Sequence, residues 1–510
     1  MTVPHTYITT TIPYVNARPH IGFALELVQA DVLARHHRGG GSAVRFQAGT
    51  DDNALKNVLA ASAAGVSVQE FVDRNAAAFL ALAGPLSLSV DDTIRTSSDP
   101  RHRVGVRRLW EACAASGDLY RKHYAGRYCV GCEQFYAPAE LTDDGCCPEH
   151  GTKPELIEEE NWFFRLSRYA APLREAIESG ALRIEPPQRR NEVLAFIDGG
   201  LEDFSVSRST KRARGWGIPV PGDPDQVIYV WWDALGNYLT ALGYGGTDGT
   251  DTDRWWRTAE RRIHLAGKGV IRFHAVYWPA ILLSAGEALP TDIVVHDYLT
   301  AGGRKISKSG GAVADPHALV AAYGTDAVRW WLLREVPRVG DTDFTPERLV
   351  ARANDELANG IGNLVNRTVS LLHRYRAGRV PAPGAGGDGA EGASALLAAI
   401  READGAIGEA LADYDFRSAT EAVWRIAVEA NRYVERTRPW ELAKAGRDSD
   451  LDAVLATLLR ACRAIGEYLA PFIPDGAARI VRQCSPDQAG HLPAAVPVLP
   501  RLDSPLFQPG

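Results

Sequence analysis

Two lysines past the middle of the chain have the chemistry needed to handle a phosphate-rich ligand. Lys305 and Lys308 are separated by two residues in KISKSGG, with Ser307 between them and two glycines following. Such a loop can fold over a triphosphate, and its ammonium groups can neutralise charge on a departing pyrophosphate. A solvated basic loop would contain the same residues, so this stretch needs support from a second motif.

That second motif is Pro19-His20-Ile21-Gly22, which stands where a predicted strand ends and a predicted helix begins. The unpaired N–H groups and partial positive charge of a helix start suit a phosphate. Gly22 allows a nucleotide to approach the backbone, and His20 can donate a hydrogen bond to a phosphate oxygen. Alone, this stretch is better interpreted as an ordinary turn, because His-X-Gly is common by chance. Together, the two motifs predict a nucleotide site in which His20, Lys305 and Lys308 stabilise charge.

A cluster of cysteines predicts a metal site. Cys129-X-X-Cys132 is followed, after fourteen intervening residues, by Cys147-X-X-His150. Two chelating pairs at this spacing are typical of tetrahedral zinc, and thiolates favour zinc over magnesium. Cys146 is a neighbouring candidate, but only Cys147 repeats the two-residue gap of the first pair. We therefore predict a structural Zn²⁺ held by Cys129, Cys132, Cys147 and His150.

The elements that must position these groups follow an α/β pattern. Residues 6–12 and 43–49 read as strands around a helix over 22–38, which is the βαβ unit of a parallel sheet. The pattern returns with strands at 227–235, 263–267 and 292–299 and a helix around 271–286. Between them, 118–225 has the texture of an inserted domain, and from 345 onward the chain is predicted to be helical.

Composition narrows the class of protein. The chain has 510 residues, 45% of them hydrophobic, and a formal net charge of -7. This excludes a generally basic surface that coats nucleic acid, but not a local basic face. The sequence has no signal-peptide pattern and no apolar run of the ~18 residues that span a bilayer. We expect a cytoplasmic, multidomain enzyme with no membrane partner.

Several sequence stretches, rather than isolated residues, resemble those of the methionyl-tRNA synthetases, a family of class I aminoacyl-tRNA synthetases. PHIG and KISKS resemble the family's HIGH and KMSKS signatures, and TTTIPYVNARPHIG, FQAGTD, YCVGCEQFY, CPEHG, YVWWDALGNYLTA and FHAVYWPAILL appear in the family's order. The resemblance covers about residues 5–470. It implies ATP, Mg²⁺ and structural Zn²⁺ as cofactors, with L-methionine and tRNA(Met) as partners. A monomer is favoured over a dimer.

The resemblance also implies a domain plan, which completes the predicted fold class. A Rossmann-like parallel sheet domain carries an inserted zinc-knuckle domain and is followed by an all-α anticodon-binding bundle. The predicted bounds are 1–117 and 226–300 for the Rossmann halves, 118–225 for the insertion, 301–345 for the KISKS loop and stem-contact region, and 346–510 for the bundle.

Site residues carried over from the family fall into three groups. The ATP site is predicted to use Pro19, His20, Gly22, Gly267, Lys305, Ser307 and Lys308. An aromatic and aliphatic cavity for the thioether side chain is predicted to use Ile12, Tyr14, Trp231, Ala234, Leu235, Tyr238, Val270 and His274, with Asp51 holding the α-ammonium. The anticodon is predicted to contact Asn363, Arg367 and Trp440, which suit base stacking and base-edge hydrogen bonds.

Several residues depart from the family pattern near the nucleotide. Phe23 replaces the second histidine of the signature, Asn53 stands in Asp-Asp-Asn-Ala where Asp-Glu-His-Gly is commoner, and Gly269 replaces a usual aspartate. A lost charge-stabilising donor can cost ~10²–10³ in rate. Three hypotheses follow: a methionine–tRNA ligase, which we favour; a paralogue that adenylates an amino acid for a small molecule or carrier; and a non-catalytic tRNA-binding regulator.

Overall fold

The computed structural model describes residues 3–131, 134–136, 138–148, 151–306, 315–381 and 392–503. The chain divides into two compact units. The sheet unit comprises Met1–Pro19, His37–Leu82 and Ser89–His296, and the helical unit comprises His20–His36, Ala83–Leu88 and Asp297–Gly510. Within the described residues, no helix combines the length and the apolar character needed to cross a membrane.

The sheet unit is built on a parallel sheet. Its six strands are ordered β3-β2-β1-β12-β13-β7, and every neighbouring pair is parallel. The strands are β1 (His5–Thr9), β2 (Ala43–Thr50), β3 (Asp92–Arg95), β7 (Arg183–Glu185), β12 (Arg261–Gly267) and β13 (Asp292–His296). β-Branched and aromatic residues such as Tyr7, Ile8 and Ile263 are fully buried in these strands, as a sheet covered on both faces requires.

Two smaller antiparallel sheets complete the strands of this unit. One has the order β5-β4-β6-β8 and the other β10-β11-β9. Their strands are β4 (Leu119–Cys129), β5 (Gln134–Tyr136), β6 (Glu155–Phe164), β8 (Phe204–Ser205), β9 (Ser207–Ser209), β10 (Pro219–Val220) and β11 (Asp223–Ile228).

The helices of the sheet unit connect and cover these strands. They are α2 (Leu55–Ala64), α3 (Val68–Leu80), α4 (Pro100–Ala115), α5 (Ala170–Glu178), α6 (Pro187–Asp198), α7 (Val230–Thr240), α8 (Thr250–Thr252) and α9 (Trp278–Ala285). Short 3₁₀ turns lie at Ala81–Ala83, Pro138–Glu140, Leu166–Tyr169 and Lys268–Val270, and π-helical turns at Asp253–Arg257 and Phe273–Tyr277. Their ends follow local rules: Asp99 caps α4 by accepting from the Arg101 N–H, and Pro100 occupies its first turn.

The described residues of the helical unit form one small sheet and many helices. The sheet has the order β15-β14-β16, formed by β14 (Leu299–Ala301), β15 (Arg304–Lys305) and β16 (Thr342–Asp343). The helices are α10 (Pro316–Tyr323), α11 (Thr325–Arg334), α12 (Pro346–Arg352), α13 (Asn363–Arg376), α14 (Ser394–Ala412), α15 (Phe416–Thr437), α16 (Pro439–Lys444), α17 (Asp448–Leu469) and α18 (Pro474–Cys484), with a π-helical segment at Ala353–Gly362. The chain enters this unit earlier, through α1 (Ile21–Gly39), whose residues up to His36 belong to it.

Three features of the sheet differ from the sequence prediction. Residues 227–235 do not form a strand of the parallel sheet: β11 ends at Ile228 in an antiparallel sheet, and α7 begins at Val230. The run VWWDAL is buried on nearly all sides, and periodicity cannot separate a buried helix from a buried strand. The strand predicted over 292–299 ends at His296, and the parallel strand β7 comes from within the segment predicted as an insertion.

Candidate active site

A small cavity opens where several loops and helices of the sheet unit meet. Its volume is about 170 Å³. The loop after β1, the residue after β2, helix α7 and the turn after β12 each contribute to its wall. All nine residues predicted to bind an amino acid line it, together with two neighbours: Thr11, Ile12, Pro13, Tyr14, Asp51, Trp231, Ala234, Leu235, Tyr238, Val270 and His274. We call this cavity the amino-acid pocket.

Tyr14 and Trp231 form an aromatic wall of the amino-acid pocket, and Phe273 stacks on Trp231 without lining the pocket. The Trp231 ring lies parallel to the Phe273 ring, with centroids 3.7 Å apart and an interplanar angle of 6°. Tyr14 meets Trp231 edge to face at 6.2 Å. Sequence analysis did not name Phe273, although it lies directly before His274 in the string FHAVYW. Such a wall offers ring faces and edges to an apolar or thioether side chain.

At the back of the pocket, two hydrogen bonds connect Tyr238, His274 and the backbone of Val270 in series. The Tyr238 hydroxyl lies 2.7 Å from His274 Nε2, and His274 Nδ1 lies 2.9 Å from the Val270 carbonyl oxygen. Because a carbonyl can only accept, Nδ1 must donate, which leaves Nε2 of a neutral imidazole to accept from the tyrosine. Both side chains are almost completely buried, so these hydrogen bonds fix their orientation.

The acidic end of the pocket is Asp51, which is 1% exposed. Its backbone N–H donates to the Pro13 carbonyl at 2.9 Å, which ties the loop after β2 to the loop after β1. One carboxylate oxygen accepts from the Asn53 backbone N–H at 3.1 Å. A carboxylate held in this way beside apolar walls can bind the ammonium group of an amino acid.

The next residue, Asp52, turns away from the pocket into a polar cluster. Its carboxylate accepts from the Arg95 guanidinium at 2.7 and 2.9 Å, from Ser97 at 2.7 Å and from Thr50 at 2.8 Å. Burial raises the pKa of Asp52, although Ser97 and Arg95 act in the opposite direction. This residue therefore has a structural environment distinct from that of Asp51.

The predicted phosphate-binding histidine stands directly before α1, in the helical unit. His20 Nδ1 accepts from the Gly22 N–H at 3.1 Å, and the Phe23 N–H donates to the His20 carbonyl at 2.9 Å. A Cβ at position 22 would lie 3.0 Å from the His20 ring, so a larger residue there would displace the imidazole. Pro19 and Phe23 are buried. Phe23, at the place of the family's second histidine, thus packs as an apolar residue.

The remaining residues of the predicted nucleotide site are described only in part. Gly267 ends β12 in the sheet unit, where an added Cβ would lie 3.4 Å from the His296 ring. The backbone of Lys305 belongs to β15, whereas its side chain lies outside the described part of the chain. Ser307 and Lys308 lie outside the described residues. The convergence of these groups on one triphosphate therefore stays a prediction.

Two of the four predicted zinc ligands are described, and both are buried. Cys129 and Cys147, 1% and 0% exposed, share a small cluster with Tyr136, whose hydroxyl lies 3.5 Å from the Cys147 sulfur. Cys146 is partly exposed. Cys132 and His150 lie outside the described residues. Among the side chains that the structure does describe, no group of three or more potential metal ligands comes together.

The residues predicted to read an anticodon lie on two helices of the helical unit. Asn363 begins α13 and is exposed, and Trp440 in α16 is 38% exposed. The Arg367 guanidinium donates to the Asn431 side-chain oxygen at 2.8 Å. Burial lowers the pKa of Arg367. The preceding Arg438 adopts the left-handed φ of 44°, which sets the direction of the short helix that presents Trp440.

Family models match most of the chain. Residues 6–153 and 138–369 match the tRNA synthetases class I (M), and residues 380–502 match the anticodon binding domain of methionyl tRNA ligase. Together the matched ranges include the residues of the amino-acid pocket, both signature motifs, Arg367 and Trp440.

Individual relatives agree with these models. The methionine–tRNA ligase of Brucella suis is 41% identical over 516 aligned positions, which cover 97% of each chain. That of Mycobacterium tuberculosis H37Rv is 40% identical and covers 93% of this chain and 91% of the relative. A solved structure of Mycobacterium tuberculosis methionyl-tRNA synthetase in complex with methionyl-adenylate has a TM-score of 0.92 and 38% identity, covering 98% of this chain and all of that chain. The chain belongs to the methionyl-tRNA synthetase family of class I aminoacyl-tRNA synthetases.

Proposed function

We propose that this chain is a methionine–tRNA ligase, which activates L-methionine with ATP and transfers it to the 3′ end of tRNA(Met). The observation that supports this most directly is the amino-acid pocket. It combines a buried carboxylate at Asp51 with the aromatic wall of Tyr14 and Trp231 and the fixed Tyr238–His274 pair. A flexible thioether fits such a wall, because sulfur is polarisable and makes favourable contacts with aromatic ring edges.

The first chemical step is adenylation. The methionine carboxylate attacks the α-phosphorus of ATP, a new P–O bond forms, and the bond to the β-phosphate breaks as pyrophosphate leaves. Asp51 holds the α-ammonium, so the carboxylate is presented to the phosphate from a fixed end of the pocket. His20, Lys305 and Lys308 stabilise the charge that develops on the phosphates, with Mg²⁺ bound to ATP.

The second step transfers the acyl group. A ribose hydroxyl at the 3′ end of the tRNA attacks the methionyl carbonyl, and AMP leaves. Neither step requires a nucleophile from the protein, so catalysis consists of positioning and charge stabilisation. Asn363, Arg367 and Trp440 select the tRNA by stacking and base-edge hydrogen bonds, for both initiator and elongator tRNA(Met).

A structural zinc ion would be held by Cys129, Cys132, Cys147 and His150. The burial of Cys129 and Cys147 in one small cluster fits a closed site, which needs thiolates shielded from water. Bound there, zinc would cross-link the turn-rich segment between β4 and β6. It takes no part in the chemical steps.

Methionine-dependent ATP–pyrophosphate exchange, followed by charging of initiator and elongator tRNA(Met), tests this function. We expect both activities in the wild-type protein. Lys308→Ala should reduce exchange by about 10²–10³-fold because an electrostatic contact to the leaving pyrophosphate is lost. Lys211→Ala removes an exposed lysine outside both signatures and serves as the matched control. Exchange without charging would instead favour the adenylating paralogue, and tRNA binding without exchange would favour the regulator.

A further inference from the structure

A buried hydrogen-bond network lies behind the amino-acid pocket, and the proposed mechanism does not use it. His102 on α4 and Asp233 on α7 are 0% and 1% exposed. His102 Nε2 forms a short hydrogen bond to one oxygen of Asp233. The other imidazole nitrogen, Nδ1, lies 2.8 Å from the Thr240 hydroxyl. Because an ionised carboxylate only accepts, the imidazole is the donor to Asp233.

The network continues from Asp233 to Asn53. The Asn53 side-chain amide donates to the second oxygen of Asp233 at 2.7 Å and to the Thr96 carbonyl at 3.2 Å. The backbone N–H of the same residue donates to the carboxylate of Asp51. Asn53 therefore joins the acidic end of the pocket to helix α7, and Asp233 is the common acceptor between Asn53 and His102.

Close packing of two helices makes this arrangement possible. A Cβ added to Gly105 on α4 would lie 2.4 Å from the Thr240 side chain on α7. His102 is one helical turn before Gly105, so it faces the same seam. The glycine thus lets α4 approach α7 closely enough for an imidazole to reach Asp233, which lies one residue before the pocket residue Ala234.

We propose that His102 is a positioning residue for the amino-acid substrate. Its hydrogen bond to Asp233 fixes Asn53, which in turn binds the Asp51 carboxylate. The same bond fixes helix α7, which forms a wall of the pocket. This inference rests on the proposed function, because it assigns Asp51 the substrate ammonium. Asn53 is also a position where this chain departs from its family's usual residue. In this chain the asparagine amide has a defined acceptor in Asp233.

The test compares the Michaelis constants for methionine and ATP in pyrophosphate exchange. His102→Leu removes a hydrogen-bond donor, so that one buried oxygen of the Asp233 carboxylate loses this donor. We therefore expect the KM for methionine to rise about tenfold. The KM for ATP should stay within about twofold, because the hydrogen bonds of the network lead to Asp51 and helix α7, which line the amino-acid pocket. His102→Gln retains an N–H four bonds from Cα, as Nε2 is, and should restore most of the affinity for methionine.

A second route to the same network keeps the test decisive if His102→Leu does not fold. Asn53→Ala removes the other donor to Asp233 and should also raise the KM for methionine selectively. In the double variant the two effects should not add, because both act through one carboxylate. Ser284→Ala is the matched control: its hydroxyl donates at 2.8 Å to the buried Asp118, which is not a pocket residue, so its KM for methionine should not change.

The outcomes separate the inference from the function on which it rests. An unchanged KM for methionine in folded Asn53→Ala, and in His102→Leu where that variant folds, would overturn the positioning role. Equal increases in the KM values for methionine and ATP would also overturn it, because they would indicate a general loss of structure. A wild-type protein without methionine-dependent exchange would instead overturn the proposed function, and the inference with it.

Discussion

Behind the pocket, His264 shows how burial sets the charge of a single residue. Its Nε2 accepts from the Trp278 indole N–H at 3.2 Å, and its Nδ1 lies 2.6 Å from the Thr9 hydroxyl. The imidazole is completely buried, and desolvation, with smaller effects from His274 and Arg262, lowers its pKa well below the ordinary value. The neutral form therefore fits this site, with one nitrogen accepting and the other donating.

This predicts a pH-dependent stability. Below about pH 6.5 the unfolded chain binds a proton at His264 that the folded chain does not, so the free energy of unfolding falls as the pH falls through this range. His264→Gln, whose side-chain oxygen can still accept from Trp278, should lack this contribution. The free energy of unfolding should be measured with urea between pH 7.5 and 5.5. Its slope against pH should be steeper for the wild type than for His264→Gln by up to about 1.4 kcal/mol per pH unit.

Parallel pH profiles for wild type and His264→Gln would contradict the prediction. Other titrating groups, such as the buried Asp52, are present in both proteins and contribute equally to both profiles. The difference between the two slopes therefore reports on position 264 alone.

At the scale of elements, the described chain around Cys147, between β5 and β6, is built from tight turns. The Thr142 N–H donates to the Cys146 carbonyl at 2.9 Å, and the Cys146 N–H donates to the Thr142 hydroxyl at 3.0 Å. These two bonds close a tight turn. The buried Cys147 follows immediately, and its N–H donates to the Thr152 carbonyl at 2.8 Å. A turn-rich segment of this kind gains stability from a metal cross-link.

We therefore predict that the purified chain contains about one zinc per molecule, measured by elemental mass spectrometry, as one four-ligand site requires. Cys129→Ser should lower the zinc content and lower the unfolding temperature. Cys146→Ser changes the adjacent, partly exposed thiol and should leave zinc bound. A wild-type chain without zinc, or zinc loss in Cys146→Ser alone, would contradict the assignment of the ligands.

At the scale of the whole molecule, the two chemical steps are expected to depend on different parts of the chain. The amino-acid pocket belongs to the sheet unit, whereas Arg367 and Trp440 belong to the helical unit. A base stacked on an aromatic side chain contributes about 1–3 kcal/mol of binding. The anticodon residues should therefore control charging of tRNA without altering the activation of methionine.

Trp440→Ala should reduce kcat/KM for aminoacylation about 10–100-fold, as expected for the loss of one stacked base, while methionine-dependent exchange stays unchanged. Trp440→Phe keeps a ring for stacking and should retain most of the charging activity. Equal losses of exchange and charging in Trp440→Ala would show that the residue supports the fold rather than the tRNA. The indole is 38% exposed, which favours the first outcome.

Much of the fold was predictable because its signals are local. Strand, helix and strand around residues 5–50, the strand at Arg261–Gly267 and the helical second half each follow from hydrophobic periodicity over short windows. The misplaced strand at 227–235 shows the limit of that reasoning. A segment buried on nearly all sides has no polar face to reveal its period, so only its packing decided that it is a helix.

The sequence alone determined the family, the motifs and the nine residues that the structure gathers in one pocket, because motif strings preserve residue identity and order. Tertiary structure alone decided which side chains support them. Phe273 stacks on Trp231, and His102 reaches Asp233 across 131 positions of chain. Neither contact has a sequence signal, since packing and hydrogen bonding depend on distances in space that residue spacing does not encode.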